Sequence, residues 1–451
     1  MEFDYFADKL KEECGVFGII ADKYLDLSSN CYTGLLMLQH RGQESCGISF
    51  WNGEKLQCIK GMGLVSEVFK KDIIKKVKGF TALGHVRYST YGESNINNAQ
   101  PLLDEKNQIS MAHNGNITNA NELKEDLLKK GINFVTTTDS EIILRLILNG
   151  DKEDVVKSIK ETMTKIKGSY SVLMQIKDKL IGFRDPRGIR PMCIGKLKDS
   201  FILASESCSL KAIGAQLVRD VKPGEIVIID KYGMKSEIFE KNEKQMTCVF
   251  EYIYFARHDS IIDKIDVYNF RISSGVELYK ENKTDADIVI GVPDSGIPAA
   301  IGFSRASGIP YDLGLVKNKY IGRTFIEPHE WKRKKNAALK LNVIESNIKG
   351  KRVVVVDDSL VRGTTSRAIV EKLRYAGARE IHFRIASPII KSPCFLGINM
   401  SKHSELLGSD KSIDEIKKSI GADSIGYLSI EGLLKSLNKK EVCLKCFNRA
   451  I

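Results

Sequence analysis

The sequence predicts two domains: an α+β sandwich of sheets with helices packed on it, then an α/β domain built on a doubly wound parallel sheet. Short β-like runs with turn signals and interleaved helical patterns fill residues 15–235. After about residue 240 the order becomes strand, loop and helix, with purely apolar strands. A chain of 451 residues is long enough for two cores. We therefore predict one domain over 14–240 and a second over 241–451.

Each half has its own set of predicted elements. In the first half the β-like runs are GVFGII, CGISFW, FTALGHVRYST, ISMAHNGNI, SYSVLMQI, KLIGFRD, SFILASE and EIVIID, and helical patterns cover 28–40, 121–130 and 139–149. In the second half DIVIGVPDSG and RVVVVDDSLVRGTT each run from a strand through a loop into a helix, and IHFRIASP is a further strand. Apolar strands followed by loops at helix starts are typical of a parallel sheet covered on both faces.

Composition narrows the classes of protein and of ligand. The net charge of +12 favours anionic ligands, either nucleic acid or small phosphates. No window approaches eighteen uninterrupted apolar residues, so no membrane span is predicted. Ten cysteines without an export signal favour a reducing compartment, where cysteines are more often catalysts or metal ligands than disulfides. We expect a soluble cytoplasmic protein.

Cys14 follows the acidic leader MEFDYFADKLKEE and precedes the apolar run GVFGII. The leader lacks the basic and apolar regions of a secretory signal. A free cysteine most often packs as a small hydrophobe, which is the plain interpretation of Cys14. The alternative is an N-terminal nucleophile, in which a freed α-amine serves as the base for the adjacent side chain. Cleavage between Glu13 and Cys14 would create that amine, so we predict that residues 1–13 are a propeptide.

Further candidates in the first domain fit the attack of a thiol on a carboxamide, which needs oxyanion donors and a clamp for an amino acid's two charges. Asn114 and Gly115 offer a side-chain amide and a backbone N–H. The planar fork of Arg87 suits an α-carboxylate, Asp139 suits an α-ammonium, and Arg41 would shape the pocket. Taken singly, Arg87 or Asp139 would more often be a surface ion-pair partner. The combination predicts a glutamine site.

The strongest local signal is RVVVVDDSLVRGTTS, at residues 352–366. The valines predict a strand buried on both faces, with Asp357 and Asp358 at its carboxyl end. The small-residue loop that follows offers backbone amides and hydroxyls to an anion at a helix start. Two carboxylates beside a phosphate-binding loop are suited to bind ribose hydroxyls and a divalent cation. A simple helix cap is the alternative, and the sequence is not a Walker loop because no Gly-Lys-Ser/Thr follows.

This signature resembles the phosphoribosyltransferases that bind 5-phosphoribosyl-1-pyrophosphate (PRPP). VPDSGIPAA at 292–300 is similar to their pyrophosphate loop, and the basic segment 317–342, with eight Lys/Arg against two Glu, fits a mobile lid. Alone, that segment would equally suggest a solvated surface or a nucleic-acid patch. The resemblance implies that Mg²⁺ binds through Ser295, Asp357 and Asp358. It implies PRPP contacts from Asp294, Ser295, Gly296, Lys319, Arg323, Asp357, Asp358, Ser359, Arg362, Gly363, Thr364 and Thr365.

The first half closely resembles the class II glutamine amidotransferase domain through CGVFG, HRGQ, GHVRYST, HNGNI and TDSE, in that order. Joined to the second half, the chain is similar to the amidophosphoribosyltransferases over essentially 11–451. The resemblance implies an Ntn-hydrolase αββα sandwich followed by a type I phosphoribosyltransferase domain. Two departures are His258 in FARHDS, where the family usually has proline, and Cys46, where it usually has alanine.

The resemblance also implies a reaction. Glutamine would be hydrolysed at Cys14, and the ammonia would pass internally to PRPP and displace pyrophosphate. The products would be 5-phosphoribosylamine, glutamate and pyrophosphate, in the first committed step of purine biosynthesis. Purine nucleotides would inhibit, and the protein would be a homotetramer with no nucleic-acid or membrane partner.

CLKCF at 443–447 is a C-x-x-C pair that alone could be half a zinc site, a redox pair or accidental. Family members with an acidic leader ending in Glu-Glu carry a [4Fe–4S] cluster, and Cys248, Cys394, Cys443 and Cys446 fall on its four ligand motifs. Four thiolates also suit structural zinc, so the residue types leave both open. The resemblance favours a structural iron–sulfur cluster.

Two other functions compete with this interpretation. Glucosamine-6-phosphate synthase shares the amidotransferase half, but its sugar-isomerase half would not need the Asp-Asp loop at 357–358. A non-catalytic regulator could keep a PRPP fold to sense nucleotides or bind nucleic acid. Such a regulator would not need Cys14, Arg87, Asn114 and Asp139 together.

Overall fold

The computed structural model describes residues 14–21, 25–89, 92–239, 244–318, 341–398, 400 and 402–448. The predicted propeptide 1–13 therefore lies outside the described residues. Lys319 and Arg323 of the predicted lid also lie outside them.

The first domain contains two antiparallel sheets. One sheet has seven strands in the order β11-β9-β10-β1-β4-β2-β3. Its strands are β1 (Gly15–Ile20), β2 (Ser45–Trp51), β3 (Leu56–Met62), β4 (Thr81–Arg87), β9 (Cys193–Leu197), β10 (Ser200–Ala204) and β11 (Gln216–Asp220). The other has six strands in the order β13-β12-β8-β7-β6-β5. These are β5 (Leu102–Asp104), β6 (Ile109–Ile117), β7 (Gly168–Ile176), β8 (Lys179–Arg184), β12 (Glu225–Asp230) and β13 (Gly233–Ile238).

Helices cover the outer face of each sheet. Those on the seven-stranded sheet are α1 (Leu27–Met37), α2 (Val65–Val68), α3 (Lys71–Ile74) and α7 (Ser207–Ala212). Those on the six-stranded sheet are α4 (Ala120–Lys129), α5 (Asp139–Leu148) and α6 (Val155–Lys165). The helices expected at 28–40, 121–130 and 139–149 are thus confirmed. The first is shorter than expected and ends at Met37.

Three hydrophobic cores follow from this arrangement. One lies between α1 and the seven-stranded sheet and contains Phe17 and Leu35. A second lies between the two sheets, where Val16 and Leu173 pack. A third lies between the six-stranded sheet and its helices, around Ile143. Because adjacent residues of β1 such as Val16 and Phe17 enter different cores, this strand is buried on both faces. The layer order is α, β, β, α, which confirms the predicted sandwich.

The second domain is built on a four-stranded parallel sheet in the order β17-β20-β21-β22. Its strands are β17 (Ile288–Gly291), β20 (Arg352–Asp357), β21 (Glu380–Ile385) and β22 (Ser424–Tyr427). The helices are α8 (Val267–Glu281), α9 (Ile297–Ser307), α10 (Glu345–Ile348), α11 (Thr364–Tyr375), α12 (Ile413–Ile420) and α13 (Ile430–Leu437).

The valine run of β20 shows why this sheet is covered on both faces. Val353 and Val355 enter a core shared with α11 and α12. Val354 and Val356 enter a core on the other face, shared with α8 and α9. Alternate side chains of a strand point to opposite faces of the sheet. Four consecutive valines are therefore buried only if an apolar layer covers each face. The predicted doubly wound parallel sheet is confirmed.

Smaller elements complete the second half of the chain. Three two-stranded ladders pair β14 (Thr247–Cys248) with β23 (Val442–Cys443), β15 (Ile261–Ile262) with β16 (Ile265–Asp266), and β18 (Leu315–Lys317) with β19 (Leu341–Val343). A π-helical turn at Glu251–Phe255 and a 3₁₀ turn at His403–Glu405 complete the described elements. Across the described ranges, every helix is too short or too polar to cross a membrane.

Candidate active sites

Cys14 lies directly before β1, at the edge of the first site. The antiparallel pairing of β1 with β4 places Gly15 opposite Val86, which brings the end of β4 to the start of β1. The N–H of Tyr88 donates to the Cys14 Sγ at 3.5 Å, and Sγ lies 3.4 Å from the Tyr88 carbonyl oxygen. Strand pairing therefore joins the predicted nucleophile to the GHVRYST motif.

The electrostatic surroundings of Cys14 keep its thiol protonated. Burial raises the pKa of the Cys14 thiol above its ordinary value, while the Tyr88 backbone and Arg87 lower it. Glu44 and Asp139 act in the same direction as burial. Since the thiolate is the attacking form, a thiol in this position needs a base beside it.

Arg87 is held in place by two acceptors. Its Nη1 lies 2.6 Å from Glu44 Oε1 and 3.2 Å from the carbonyl oxygen of Glu93. Glu44 also accepts the backbone N–H of Ser89 at 3.1 Å, so one carboxylate organises both residues. The side chain of Arg87 is only 2% exposed. Sequence reasoning missed Glu44, although it follows the HRGQ motif directly.

Asn114 and Gly115 lie in β6, opposite Ser171 and Tyr170 of β7. The Asn114 side chain is fully buried, and neither its Nδ2 nor its Oδ1 has a hydrogen-bond partner among the described residues. A buried amide without partners costs about 1–3 kcal/mol, so this arrangement suits a group that binds a ligand. Gly115 has φ +147°, and a Cβ there would lie 2.0 Å from the Ser169 carbonyl oxygen. Only glycine fits this position.

Asp139 begins α5 and is linked to the end of β6. Its Oδ2 accepts the backbone N–H of Ile117 at 2.9 Å, and its Oδ1 lies 3.9 Å from His113 Nδ1. His113 Nδ1 also lies 3.1 Å from the hydroxyl of Ser140, the residue after Asp139. Burial lowers the pKa of His113, which is therefore neutral. These contacts place the predicted ammonium partner beside the predicted oxyanion donors.

Arg41 contacts the backbone of the nucleophile. Its Nε donates to the Cys14 carbonyl oxygen at 3.3 Å. Its Nη1 lies 2.5 Å from Glu206 Oε1, and its Nη2 lies 2.7 Å from Glu251 Oε1. Both acids have fully buried side chains. The pocket-shaping prediction for Arg41 thus corresponds to a buried ion-pair network that sequence reasoning missed.

The second site lies at the carboxyl ends of β17 and β20. Ser295 Oγ donates to Asp358 Oδ1 at 2.7 Å, and Ser359 Oγ donates to Asp358 Oδ2 at 2.8 Å. Asp294 Oδ2 accepts from Lys317 Nζ at 2.9 Å. The predicted pyrophosphate loop and the Asp-Asp loop therefore meet at one edge of the parallel sheet, where ligands of such sheets bind.

Glycines shape both loops of the second site. Gly363 has φ +81° and caps α11, whose N-terminus carries Thr364 and Thr365. The hydroxyl of Thr364 is buried and has no hydrogen-bond partner among the described residues. A Cβ on Gly296 would lie 2.6 Å from the Val356 carbonyl oxygen. The predicted anion-binding loop therefore lies at a helix start with an available hydroxyl, and its ligand remains a prediction.

Arg362 lies in the same loop, and its Nη2 pairs with Glu405 Oε2 at 2.6 Å. This contact ties the Asp-Asp loop to the 3₁₀ turn. Lys319 and Arg323 cannot be placed in the site because they lie outside the described residues.

The four cysteines predicted as cluster ligands come together. Cys248 and Cys443 are register neighbours in the β14–β23 ladder. Together with Cys394 and Cys446 they line one cavity of about 1210 Å³. Burial is the largest cause of the raised pKa of the Cys446 thiol, and the three neighbouring thiols raise that pKa further. Across the part of the chain that the structure describes, no three His, Cys, Asp or Glu side chains converge on a single metal-ion position.

Comparisons with known proteins agree with this geometry. A family model for a glutamine amidotransferase domain matches residues 85–212, and one for a phosphoribosyl transferase domain matches residues 272–418. The amidophosphoribosyltransferase of Bacillus subtilis is 47% identical over 447 residues, covering 97% of this chain and 94% of that protein. The one from Methanothermobacter thermautotrophicus is 46% identical, covering 98% and 94%.

The chain belongs to the amidophosphoribosyltransferase family.

A solved structure supports this membership at the level of the backbone. Glutamine PRPP amidotransferase of B. subtilis, in complex with ADP and GMP, matches with a TM-score of 0.91 at 46% identity and covers 97% of each chain. This amidophosphoribosyltransferase is thus an enzyme that joins a glutamine amidotransferase domain to a phosphoribosyltransferase domain. In the first candidate site, Arg87, Asn114 and Asp139 fall within the matched residues 85–212. Both loops of the second candidate site fall within the matched residues 272–418.

Proposed function

We propose that this amidophosphoribosyltransferase frees ammonia from glutamine at Cys14 and uses it at PRPP, producing 5-phosphoribosylamine, glutamate and pyrophosphate. The observation that carries the proposal is the pairing of two sites in one chain. The first has Cys14 in contact with the GHVRYST strand, and the second has Ser295 bonded to Asp358. We also propose that the boundary between the two domains lies between residues 240 and 241.

The first step needs a base and an oxyanion site. After residues 1–13 are removed, the α-amine of Cys14 takes the thiol proton, and Sγ forms a bond to the amide carbon of glutamine. Asn114 Nδ2 and the Gly115 N–H stabilise the tetrahedral oxyanion. The C–N bond then breaks, ammonia leaves, and water hydrolyses the thioester to glutamate. The buried, unpartnered amide of Asn114 supports this role.

Glutamine would be held by its two charged groups. Arg87 binds the α-carboxylate and Asp139 binds the α-ammonium, with Arg41 holding the Cys14 backbone. The influence of both Arg87 and Asp139 on the Cys14 thiol supports this assignment, because it places both charges near the sulfur.

PRPP would bind across the two loops at the sheet edge. Asp294, Ser295 and Gly296 hold the pyrophosphate, Asp357 and Asp358 hold the ribose hydroxyls, and Ser359, Arg362, Gly363, Thr364 and Thr365 surround the 5-phosphate. Ammonia forms a bond to the anomeric carbon while the bond to pyrophosphate breaks. Lys319 and Arg323 would close over the pyrophosphate and exclude water, which would otherwise protonate the ammonia.

The donor set also fits Mg²⁺. Ser295 Oγ and the Asp358 carboxylate lie 2.7 Å apart beside Asp357, and hydroxyl and carboxylate oxygens are the ligands that Mg²⁺ prefers. Bound there, the ion would neutralise the charge of the departing pyrophosphate.

The cysteine cavity fits a [4Fe–4S] cluster held by Cys248, Cys394, Cys443 and Cys446. The four thiols line one cavity, and Cys248 and Cys443 are register neighbours, which supports the cluster that the family resemblance implies. It would stabilise the packing of β14 against β23.

The relatives support the proposed regulation by nucleotides. A B. subtilis relative was solved with ADP and GMP, and another matched structure is described as the allosteric regulatory enzyme of purine biosynthesis. We propose that purine nucleotides inhibit this chain by feedback at its PRPP site, that it acts in the cytoplasm at the first step of purine biosynthesis, and that it forms a homotetramer. The alternative, a nucleotide-sensing regulator without catalysis, predicts no pyrophosphate release.

Cys14→Ala tests the division of labour between the two sites. We expect glutamine-dependent pyrophosphate release to be lost, while release with ammonium salts continues, because the second site would be intact. Cys58→Ala is the matched control, since that partly buried thiol lies 3.7 Å from the Pro101 carbonyl oxygen and is not among the residues assigned to either site. Loss of release with both nitrogen sources would contradict the proposal. No release from the wild type with either source would favour the regulator.

A further inference from the structure

His258 lies in the loop between the π-helical turn and β15, close to the second site. The ring is partly buried and faces α8 on one side and the Asp294 loop on the other. Its Nδ1 lies 2.8 Å from Nη1 of Arg271. Asp294 lies on the other side of the ring, where its backbone and its charge oppose the lowering of the His258 pKa.

The contact with Arg271 fixes the protonation state of the ring. A guanidinium can only donate, so His258 Nδ1 must accept and carry no proton. The neutral ring then has its proton on Nε2. Burial and the charge of Arg271 lower the pKa of His258, in agreement with a neutral ring. One imidazole in the loop after the π-helical turn therefore fixes a side chain of α8.

Arg271 is the other half of this link. Its side chain is buried, and its Nε and Nη2 donate to the carbonyl oxygens of Tyr252 and Ala256 at 2.8 and 2.9 Å. His258 is the acceptor for the remaining nitrogen, Nη1. Because all three nitrogens point at the segment 252–258, the orientation of the guanidinium depends on that segment.

The oriented guanidinium lies behind the Asp-Asp loop. Arg271 lines a small cavity together with Ser295 and Asp358. Burial lowers the pKa of Arg271 to about 10, and the charge of Asp358 opposes that shift. The guanidinium therefore lies beside the same cavity as the carboxylate that accepts from Ser295 and Ser359.

We propose that His258 is a positioning residue for PRPP: by accepting a hydrogen bond from Arg271 it orients that guanidinium beside the cavity of Ser295 and Asp358. This inference rests on the proposed PRPP roles of the two loops that carry Ser295 and Asp358. Neither Arg271 nor His258 is among the residues that the motifs assign to PRPP. The chain carries an imidazole where proline is usual in the family, so hydrogen bonds take the place of a fixed backbone angle.

The test measures PRPP dependence with ammonia as nitrogen source, so that the glutamine site is not involved. We expect His258→Phe to raise the KM for PRPP by about tenfold to a hundredfold, since it removes hydrogen bonds to a charged partner while keeping a ring. The kcat should fall much less than the KM rises. His258→Asn should give an intermediate KM because its amide oxygen can still accept from Arg271. Glutamate release from glutamine without PRPP should be unchanged in both variants.

His382→Phe is the control, because that histidine is also partly buried in the same domain and contacts Ser424 Oγ at 2.9 Å. It should leave the KM for PRPP unchanged. A His258→Phe enzyme with the wild-type KM would overturn the inference. If that variant does not fold, as judged by thermal denaturation, His258→Asn decides: a wild-type KM would overturn the inference equally. Failure of the proposed function would show instead as a wild type that does not consume PRPP.

Discussion

The two candidate sites differ in how their polar groups are satisfied. In the glutamine site, the framework is a pair of β-strands, and the amide of Asn114 is buried without a partner among the described residues. In the PRPP site, the groups lie on loops and bond to one another, as Ser295 and Ser359 do to Asp358. The first site therefore has a buried amide ready for a ligand. In the second, the Thr364 hydroxyl is also without a partner among the described residues, but the carboxylate of Asp358 must exchange internal hydrogen bonds for ligand contacts.

The difference fits the chemistry proposed for each site. An oxyanion forms only in the transition state, so donors fixed in advance by a sheet give the greatest stabilisation. PRPP carries its charges from the start, so loops can rearrange around it as it binds. Between the two sites lies the buried network of Arg41, Glu206 and Glu251, which crosses from one domain to the other.

The largest expected effect comes from Arg41→Met, which tests whether the glutamine site depends on its buried framework. The change would leave Glu206 with His40 and Glu251 with Arg190 as basic partners, and we expect a loss of about 3 kcal/mol in the free energy of unfolding, the lower end for a broken buried pair. Urea denaturation measures it. The control is Arg352→Met, whose partners Asp285 and Asp287 are solvent-exposed, and which should change stability far less. Equal effects of the two changes would show that the domain-crossing network adds no more stability than a surface pair.

Asn114→Ala has the second-largest expected effect and tests whether the Asn114 amide is a preorganised oxyanion donor. Loss of one oxyanion donor should raise the barrier for glutamine hydrolysis by about 2.7–4 kcal/mol, a factor of about 10²–10³ in kcat. Ammonia-dependent synthesis should not change. Steady-state glutamate release measures the first quantity and pyrophosphate release the second. Asn119→Ala, which alters an amide that bonds only to the backbone of Lys165 and Lys167, should leave both rates near the wild type. A small effect at Asn114 would remove the contrast between the sites.

Ser295→Ala should have the smallest effect, because Ser359 also donates to Asp358 and keeps that carboxylate oriented. We expect a loss of about 1 kcal/mol in PRPP binding, a rise of roughly fivefold in KM. Ser295→Thr retains a hydroxyl and should restore most of the affinity. Initial rates with varied PRPP measure both variants. If alanine abolished PRPP use altogether, the hydroxyl would contribute far more than a bond that Ser359 can replace, and the second site would be as preorganised as the first.

Much of the architecture could be predicted because its elements are locally consistent. The valines of β20 predict a strand buried on both faces, and the structure places them in two cores. Strand β3 and helix α6 were not predicted. In β3 only Leu56 is buried, so its sequence lacks the alternation that marks a half-buried strand.

The sites were less predictable, because they depend on contacts between distant segments. Cys14 and Tyr88 lie 74 residues apart, and only the β1–β4 pairing brings them together. Glu206 and Glu251 were missed because acidic residues are rarely buried, and nothing in their local sequence marks an exception. The meeting of Cys248 with Cys443 likewise depends on a two-stranded ladder too short to recognise in a sequence.

The central claim is that one chain releases nitrogen at Cys14 and consumes it at PRPP without losing it to solvent. Synthesis with amide-¹⁵N glutamine in the presence of excess unlabelled ammonium tests this claim most directly, with the isotope in trapped phosphoribosylamine measured by mass spectrometry. We expect the product to keep the ¹⁵N label of glutamine despite the competing ammonium. A label diluted in proportion to the ammonium in solution would contradict the account.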